Sequence, residues 1–321
     1  MKKLTVFFII FLIIFNTTVF ANNTENKEPN PVAQSAILID AKTGRVLWGK
    51  NENEPLAMAS TTKIMTAILA IEQGNLEDKV VVSKNATKAP PVKMFLKEGE
   101  EIKLKELLYA LMMQSSNDAA VAIAEHISGD VETFCNMMTE KAKELGAKDT
   151  VFKTPNGLDS GDHHSTAYDM ALIAKYAIQN QTFLEIINTR EISFKTNKSS
   201  YNIINKNRLL SEFNGANGIK TGYTGKAGHC FVGSATRGDL TLISVVLASG
   251  WGNKGKQQKW IDTKEILNYG FNNFKYETVL KATDCQDILN INKGYKETIP
   301  LYYENEVVLP LKNEEISQIK I

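Results

Sequence analysis

Residues 218–248 read GIKTGYTGKAGHCFVGSATRGDLTLISVVLA, and this stretch decides the fold class. It contains three apolar runs, residues 218–223, 229–236 and 240–248, which are separated by short turns that contain glycine. Short apolar runs divided by glycine turns are typical of antiparallel strands joined by hairpins. The stretch therefore predicts three neighbouring strands in the later part of the chain.

The amino-terminal part of the chain offers two further strands. Residues 35–40 (SAILID) and 45–48 (RVLW) flank a turn at Lys42-Thr43-Gly44. Apolar residues recur at helical spacing in six other segments, which are residues 60–71, 104–113, 119–127, 131–145, 166–178 and 257–271. Because isolated hairpins cannot bury their apolar faces, we expect one antiparallel sheet built from both chain ends, with a helical block beside it. This is an α+β fold.

The last part of the chain is different in character. Residues 276–321 alternate short β-like pieces (287–291, 298–302 and 306–309) with turns, and they are too few to form a large core of their own. We expect a main domain over residues 33–275, followed by a short and incomplete β-rich C-terminal appendage.

The first residues resemble an export signal. Lys2 and Lys3 precede an apolar run over residues 4–15, and Val19-Phe20-Ala21 ends the segment. This order predicts a secretory signal peptide, residues 1–21, cleaved after Ala21. The alternative is a membrane anchor, but a spanning helix needs roughly 20 apolar residues and this run has about 12. We therefore expect an exported protein whose residues 22–32 form a flexible lead-in.

Composition excludes several classes of function. The 321 residues carry 37 basic and 36 acidic side chains, and this net charge of +1 gives no reason to expect a nucleic acid partner. The four histidines follow no metal-binding spacing, the cysteines form no Cys-x-x-Cys pair, and no glycine-rich phosphate loop occurs. We expect neither a metal nor a cofactor.

One short motif suggests nucleophilic chemistry. In Ser60-Thr61-Thr62-Lys63 the serine precedes the lysine by three residues, so a helix would bring the amine to the hydroxyl. Ser317 and Lys320 have the same spacing in the polar tail, where no pocket is expected. Ser60 opens an apolar helix instead, which predicts a half-buried hydroxyl near the positive end of the helix dipole. The alternative for Ser60 is an ordinary serine at a helix start.

A serine and lysine pair of this kind needs a neutral lysine to accept the hydroxyl proton. Near pH 7 deprotonating an ordinary lysine costs roughly 4 to 5 kcal/mol, so burial and a second cation are needed to lower its pKa. Lys220-Thr221-Gly222, at the start of the later strands, supplies such a cation, and its glycine would let a peptide backbone approach. Lys42-Thr43-Gly44 has the same letters, but we assign it to a turn.

A third motif, Ser-x-Asn, would supply polar groups between the two lysines. It occurs three times, beginning at Ser83, Ser115 and Ser200. Ser115-Ser116-Asn117 alone links two predicted apolar helices, where a hydroxyl and an amide could project into a cleft. We interpret the other two as loop residues.

Taken in order, the motifs at Ser60, Ser115 and Lys220 resemble the active-site set of the penicillin-binding proteins and serine β-lactamases. The surrounding text, which includes residues 59–66, 115–119, 154–159, 164–171 and 218–224, resembles the low-molecular-weight D-alanyl-D-alanine carboxypeptidases over about residues 33–271.

The resemblance implies a fold of the β-lactamase and transpeptidase type and a peptidoglycan stem peptide ending in D-Ala-D-Ala as the substrate. It implies that Ser60 attacks the carbonyl between the last two D-alanines, with Lys63 as the general base, and that β-lactam antibiotics acylate the same serine. It further implies that Ser115 relays a proton and that Asn117 binds the substrate amide. Lys220 and Thr221 would bind the terminal carboxylate. The oxyanion would lie between the backbone N–H groups of Ser60 and Tyr223, beside Gly222.

The sequence departs from the family pattern in two places. The family usually continues into a full β-rich second domain and an anchor helix, so we expect this chain to have no C-terminal anchor of its own. The family also often places an arginine near the helix after the last strand, where this chain has Lys254, Lys256 and Lys259. A lysine lacks the forked geometry that binds carboxylates in two places.

Two other functions are considered. The commonest serine β-lactamases need a Glu-x-x-Leu-Asn loop, and the nearest segment here, Glu185 to Asn188, lacks that pattern. A non-catalytic module that captures peptidoglycan or β-lactam is the second alternative, although such a module would not need every reactive residue of the three motifs.

Overall fold

The computed structural model describes residues 27–282 and 285–319. Its strands, in chain order, are β1 Ser35–Asp40, β2 Val46–Lys50, β3 Lys79–Val81, β4 Glu101–Lys103, β5 Glu191–Lys195, β6 Ser200–Ile204, β7 Ala216–Thr224, β8 Gly228–Arg237, β9 Leu240–Leu247, β10 Lys275–Leu280, β11 Cys285–Asn290, β12 Thr298–Tyr302 and β13 Val307–Leu311. The predicted signal peptide lies outside the described residues.

The helices, in chain order, are α1 Lys63–Gln73, α2 Lys84–Thr87, α3 Leu104–Tyr109, α4 Asn117–Ser128, α5 Val131–Glu144, α6 Ala167–Ala177, α7 Gln181–Asn188, α8 Leu209–Glu212, α9 Gly252–Asn273 and α10 Asn313–Ile316. A 3₁₀ turn, Ala59–Thr62, leads into α1, and a π-helical turn, Ala110–Gln114, follows α3. Within the described ranges, no helix is long and apolar enough to cross a membrane.

The main sheet has five antiparallel strands in the order β2-β1-β9-β8-β7. Strand β1 comes from the amino-terminal part of the chain and pairs with β9 from the later part, so the predicted sheet built from both chain ends is confirmed. This arrangement leaves β7 at one edge of the sheet, where its outer backbone groups can pair with another strand.

The two faces of the sheet are covered by different layers. Along β1, Ile37 and Ile39 belong to the core shared with the helical block, whereas Ala36 and Leu38 belong to the core under α9. This alternation follows from the two-residue period of a strand. The sheet is therefore the middle layer of the main domain, and its central strands are buried on both faces.

The helical block places α1 at its centre. The first eight residues of α1, Lys63 to Ala70, are all buried. Burial of the charged Lys63 side chain in such a helix is unusual. Side-chain caps at Asp130, Thr166 and Asn180 start the helices α5, α6 and α7. Such caps typically contribute about 1 kcal/mol each. The hairpin of β5 and β6 and the helix α7 were not predicted, because segments of five to eight residues are too short to show a clear period.

The C-terminal appendage contains two separate ribbons. In the first, β10 pairs with β13 and is joined to the main domain by the Tyr276 hydroxyl, which donates to Asp40 Oδ1 at 2.6 Å. Arg45 adds contacts to the Pro310 carbonyl and to Glu315. In the second ribbon β11 pairs with β12, and all the residues of β12 are exposed. The predicted β-rich appendage is thus present.

Candidate active site

Ser60 lies in the 3₁₀ turn before α1, and a neighbouring loop fixes the backbone of that turn. Ala59 has a φ of 49°, in the left-handed region that is unfavourable for most residues. Gly157 packs so closely that a Cβ there would lie 1.9 Å from the Ala59 carbonyl oxygen. The half-buried Ser60 side chain is therefore held between α1 and the loop at residues 154–158.

Lys63 begins α1 and is fully buried, with its amine directed at Ser60. Its Nζ donates to Ser60 Oγ at 2.9 Å, to Asn117 Oδ1 at 2.8 Å and to the Asn156 carbonyl oxygen at 2.5 Å. No carboxylate forms an ion pair with this amine within the described part of the chain. Burial first, and then the charge of Lys220, holds the pKa of Lys63 well below its ordinary value. The amine is thereby prepared to lose its proton.

Lys220 is the second buried lysine, and it projects from β7. It is 2% exposed, and its Nζ donates to the Thr221 carbonyl oxygen at 3.1 Å. Burial, followed by the charge of Lys206, lowers the pKa of Lys220 to about 7. Lys206 is held near this cluster by its backbone N–H, which donates to the Met113 carbonyl oxygen at 3.2 Å. The site therefore contains two buried amines and a third, exposed one.

Gly222 allows the edge strand to pass beside the nucleophile. A Cβ at this position would lie 2.9 Å from the Ser60 backbone nitrogen and 3.0 Å from the Ala59 Cβ. Any side chain here would have to push the 3₁₀ turn away from β7. Tyr223 follows at once, with its ring half-exposed, and Thr221 is half-buried on the same strand.

The second motif approaches Lys63 from the start of α4. Ser115 has a φ of 67° and ends the π-helical turn, and its side chain is half-buried. Asn117 begins α4, accepts from Lys63, and donates its Nδ2 to the Pro90 carbonyl oxygen at 3.0 Å. Among the described residues, no hydrogen bond joins the Ser115 hydroxyl to either buried lysine. Asn117 is therefore the direct link between the second motif and Lys63.

Sequence reasoning did not find several residues of this region. The Asn156 carbonyl accepts from both Ser60 Oγ, at 3.4 Å, and Lys63. His163 is buried, and its Nδ1 accepts from the Lys153 backbone at 2.9 Å, so its Nε2 donates to Thr62 Oγ1 at 2.9 Å. Burial lowers the pKa of His163 to about 4, which keeps this imidazole neutral. Residues 154–159 belong to the family resemblance, but residue type does not indicate that a backbone carbonyl accepts a hydrogen bond.

The three lysines after the last strand differ in environment. Lys254 and Lys256 are exposed, whereas Lys259 is buried. The Lys259 Nζ donates to the Lys256 carbonyl oxygen at 2.9 Å and lies 3.4 Å from His229 Nδ1. Burial and then Lys256 lower the pKa of Lys259 to about 8. The ring of His229 in turn lies against Tyr223, with 4.3 Å between the ring centroids.

A serine hydroxyl bonded to a buried amine, beside an edge strand that carries a second buried amine, defines a serine enzyme of acyl transfer with lysine as its base. The fold of a five-stranded sheet between a helical block and one long helix is consistent with that class. In the described residues no group of three or more His, Cys, Asp or Glu side chains could hold a metal ion.

Comparison with known proteins identifies the family. Residues 22–250 match the model of the D-alanyl-D-alanine carboxypeptidase family. The chain therefore belongs to this family of serine-type hydrolases, and the family, the activity and the penicillin-binding class predicted from the sequence are confirmed.

Individual relatives agree with this assignment. The chain is 36% identical to the D-alanyl-D-alanine carboxypeptidase DacF of Bacillus subtilis, in an alignment that covers 100% of this chain and 84% of the relative. It is 38% identical to DacC of Escherichia coli, covering 84% of this chain and 69% of that protein.

Solved structures show the same fold. Penicillin binding protein 5 from Haemophilus influenzae superposes with a TM-score of 0.79 at 31% identity, over 92% of this chain and 86% of that one. The D-alanyl-D-alanine carboxypeptidase of Mycobacterium tuberculosis superposes with a TM-score of 0.73 at 32% identity, over 78% of this chain and 94% of the other. The predicted α+β fold of the transpeptidase type is thus confirmed.

Proposed function

We propose that this carboxypeptidase removes the terminal D-alanine from peptidoglycan stem pentapeptides through an acyl-enzyme on Ser60, and that β-lactams acylate the same serine. The observation that carries the proposal is the 2.9 Å hydrogen bond from Lys63 Nζ to Ser60 Oγ, made by a buried amine with a lowered pKa. No cofactor or metal takes part in the proposed reaction.

The substrate binds as an added strand along the free edge of β7. Its terminal carboxylate pairs with Lys220 and accepts from the Thr221 hydroxyl. The buried ammonium of Lys220 is poorly hydrated, so a carboxylate beside it supplies the charge-assisted hydrogen bond that water does not. The Asn117 side-chain amide holds the peptide amide upstream of the scissile bond. These contacts bring the carbonyl between the two D-alanines against Ser60 Oγ.

Acylation requires a neutral Lys63. The amine accepts the Ser60 hydroxyl proton as Oγ bonds to the carbonyl carbon, and the carbonyl oxygen becomes an oxyanion held by the backbone N–H groups of Ser60 and Tyr223. Such donors are worth about 3 to 4 kcal/mol in related enzymes. The C–N bond then breaks as Ser115 relays the proton held by Lys63 to the leaving nitrogen. D-alanine departs, and Lys63 is neutral again.

Deacylation completes the cycle. A water molecule gives a proton to Lys63 and attacks the ester carbonyl, and the Ser60 Oγ leaves as a hydroxyl after taking a proton back. The products are D-alanine and a stem peptide shortened by one residue. A β-lactam undergoes the same first step. The C–N bond of its ring amide breaks, and the opened molecule stays attached through its carbonyl carbon as an ester of Ser60.

Among the three lysines after the last strand, Lys259 is the buried one. It is buried on the α9 side of the sheet, and its described partners are a carbonyl oxygen and the neutral Nδ1 of His229, with no ion pair to a carboxylate. Lys254 and Lys256 are exposed and would be screened by water. The proposed binding of the carboxylate therefore rests on Lys220 and Thr221, and none of these three lysines is assigned a role in it.

The proposed place of action is outside the cytoplasm, at the cell wall or the outer face of the membrane. Lys2, Lys3 and the apolar run at residues 4–15 support export with cleavage after Ala21. The amino-terminal sequence of the native protein tests this point, since a chain that begins at Met1 would contradict it.

The activity is tested on the mature protein with a stem pentapeptide and a labelled penicillin. We expect release of D-alanine and a penicillin adduct on the peptide that contains Ser60, and neither result in Ser60→Ala. An adduct on Ser115 or Ser317 would contradict the assignment. Penicillin binding without release of D-alanine would indicate a non-catalytic binding module, and rapid penicillin hydrolysis would indicate a β-lactamase.

A further inference from the structure

Two exposed aromatic rings flank the turn between β7 and β8, directly after the residues that approach Ser60. Tyr223 is 49% exposed and Trp251 is 50% exposed. The Trp251 indole N–H donates to the Gly225 carbonyl oxygen at 3.0 Å, so this ring is attached to the turn itself. Large aromatic surface of this kind is usually buried, and its exposure beside a cleft indicates a binding surface.

Both rings are held in place before any ligand arrives. Gly228 has a φ of 66°, and a Cβ there would lie 3.0 Å from the Trp251 ring, so the indole is in close contact with the turn. Tyr223 stacks on His229 with 4.3 Å between the ring centroids. His229 is itself fixed, because its Nε2 donates to the Gly252 carbonyl oxygen at 3.0 Å. A rigid aromatic surface binds with little loss of side-chain entropy.

The direction of the bound peptide follows from the proposed function, on which this inference rests. The terminal carboxylate lies at Lys220 and Thr221, and the scissile carbonyl lies one step further along β7, at Tyr223. The peptide therefore runs antiparallel to β7, with its upstream residues directed towards Thr224 and the turn. Because each strand residue advances about 3.4 Å, the residues before D-Ala-D-Ala reach the turn between β7 and β8, to which the Trp251 indole is hydrogen-bonded.

We infer that Trp251, supported by Tyr223, forms a subsite for the stem-peptide residues upstream of D-Ala-D-Ala. The flat apolar indole suits the aliphatic part of a long side chain, and the exposed Lys226 on the same turn suits a carboxylate of the stem. Trp251 is in this view a specificity-determining residue that takes no part in the chemical step.

The test compares two substrates that share the reacting bond. One is the stem pentapeptide, and the other is N-acetyl-D-Ala-D-Ala, which ends before the turn. We expect Trp251→Ala to lower kcat/KM for the pentapeptide about fivefold to tenfold, a typical range for loss of one aromatic contact. The kcat/KM for the acetylated dipeptide and the rate of penicillin acylation should stay within about twofold of wild type. Trp251→Phe should restore most of the pentapeptide activity.

The matched control is Ile261→Ala, an apolar residue of α9 that is 53% exposed and lies away from the turn. It should leave both substrates unchanged. An equal loss for both substrates in Trp251→Ala would show a structural effect and overturn the subsite, as would no loss for either.

A binding measurement separates this inference from the proposed function. In Ser60→Ala the pentapeptide should change the tryptophan fluorescence, the acetylated dipeptide should not, and the change should vanish when Trp251→Phe is added. If the wild type releases no D-alanine and is not acylated by penicillin, the proposed function fails, while this titration still decides the subsite. A fluorescence change that persists in the Trp251→Phe background would contradict it.

Discussion

The chain contains the sequence Lys-Thr-Gly twice, and the two copies lie in opposite environments. Lys42-Thr43-Gly44 forms the turn between β1 and β2. There the Thr43 hydroxyl donates to Asp40 Oδ2 at 2.6 Å, and the exposed Lys42 amine lies 5.2 Å from the centroid of the Tyr276 ring. Every polar group of this copy serves the turn or faces water.

Lys220-Thr221-Gly222 has the same letters in the edge strand β7. Its lysine is buried, with a pKa lowered to about 7, and its glycine lies against the Ser60 backbone. The same three residues thus form a turn in one place and a candidate part of an active site in the other. The difference teaches that burial and neighbours, which residue type does not specify, decide what a short motif can do.

The largest expected difference concerns the two lysines. Lys220→Ala should lower kcat/KM for release of D-alanine by about 10³-fold, because it removes both the carboxylate partner and a charge that lowers the pKa of Lys63. Lys42→Ala should leave kcat/KM within about twofold. Steady-state kinetics on the two variants measures this. If Lys42→Ala lost activity and Lys220→Ala did not, the assignment of the third motif to Lys220 would be wrong.

The two glycines should differ nearly as much. Gly222→Ala places a methyl group 2.9 Å from the Ser60 nitrogen, so we expect about a 10²-fold loss of penicillin acylation rate from the displaced nucleophile. Gly44→Ala meets only the flexible end of Lys175, although its φ of 79° costs about 1 kcal/mol of stability. Its acylation rate should stay normal. Equal acylation rates in the two variants would refute the close approach.

The pH dependence gives a sharper version of the comparison. Catalysis needs a neutral Lys63, so kcat/KM should rise with pH as this amine loses its proton. Without Lys220 the pKa of Lys63 rises, and the acid limb of the profile should move to higher pH. It should not move in Lys42→Ala. An acid limb at the same pH in all three proteins would mean that the charge of Lys220 does not act on the base.

The two threonines should differ in kind: we expect Thr221 to affect activity and Thr43 to affect stability. Thr221→Val removes a proposed hydrogen bond to the substrate carboxylate and should lower kcat/KM about tenfold with an unchanged Tm. Thr43→Val removes the bond to Asp40 and should lower the free energy of unfolding by about 1 kcal/mol with unchanged activity. Steady-state kinetics and thermal unfolding of both variants test this prediction. A loss of activity in Thr43→Val would contradict it.

The last comparison concerns how stability depends on pH. The pKa of Lys220 is about 7 in the folded protein and near 10.4 when unfolded, so the unfolded chain binds more protons between these values. Stability should therefore rise from pH 7 towards pH 10, and Lys220→Met should weaken this rise and raise Tm at neutral pH. Lys42→Met should change neither. A Tm that falls in Lys220→Met would show that the buried charge is compensated.

Sequence reasoning went furthest where a pattern is local. The strands at residues 35–40 and 240–248 and the helix at residues 131–145 agree with the structure to within a few residues, because side-chain period depends on neighbours in the chain. It failed for α7 and for the β5 and β6 hairpin, because these segments of five to eight residues are too short to show a clear period.

By itself, the sequence determined the fold class, the family and the residue types that can react, since these depend on periodicity and on the order of specific side chains. Only the tertiary structure decided that the Asn156 carbonyl accepts from Lys63 and that Lys206 acts on Lys220, whereas the sequence already assigned Lys42-Thr43-Gly44 to a turn. The physical reason is that a carbonyl direction, a local dielectric and the distance between two charges arise from packing. Segments far apart in the chain create them together, and no short stretch of letters contains them.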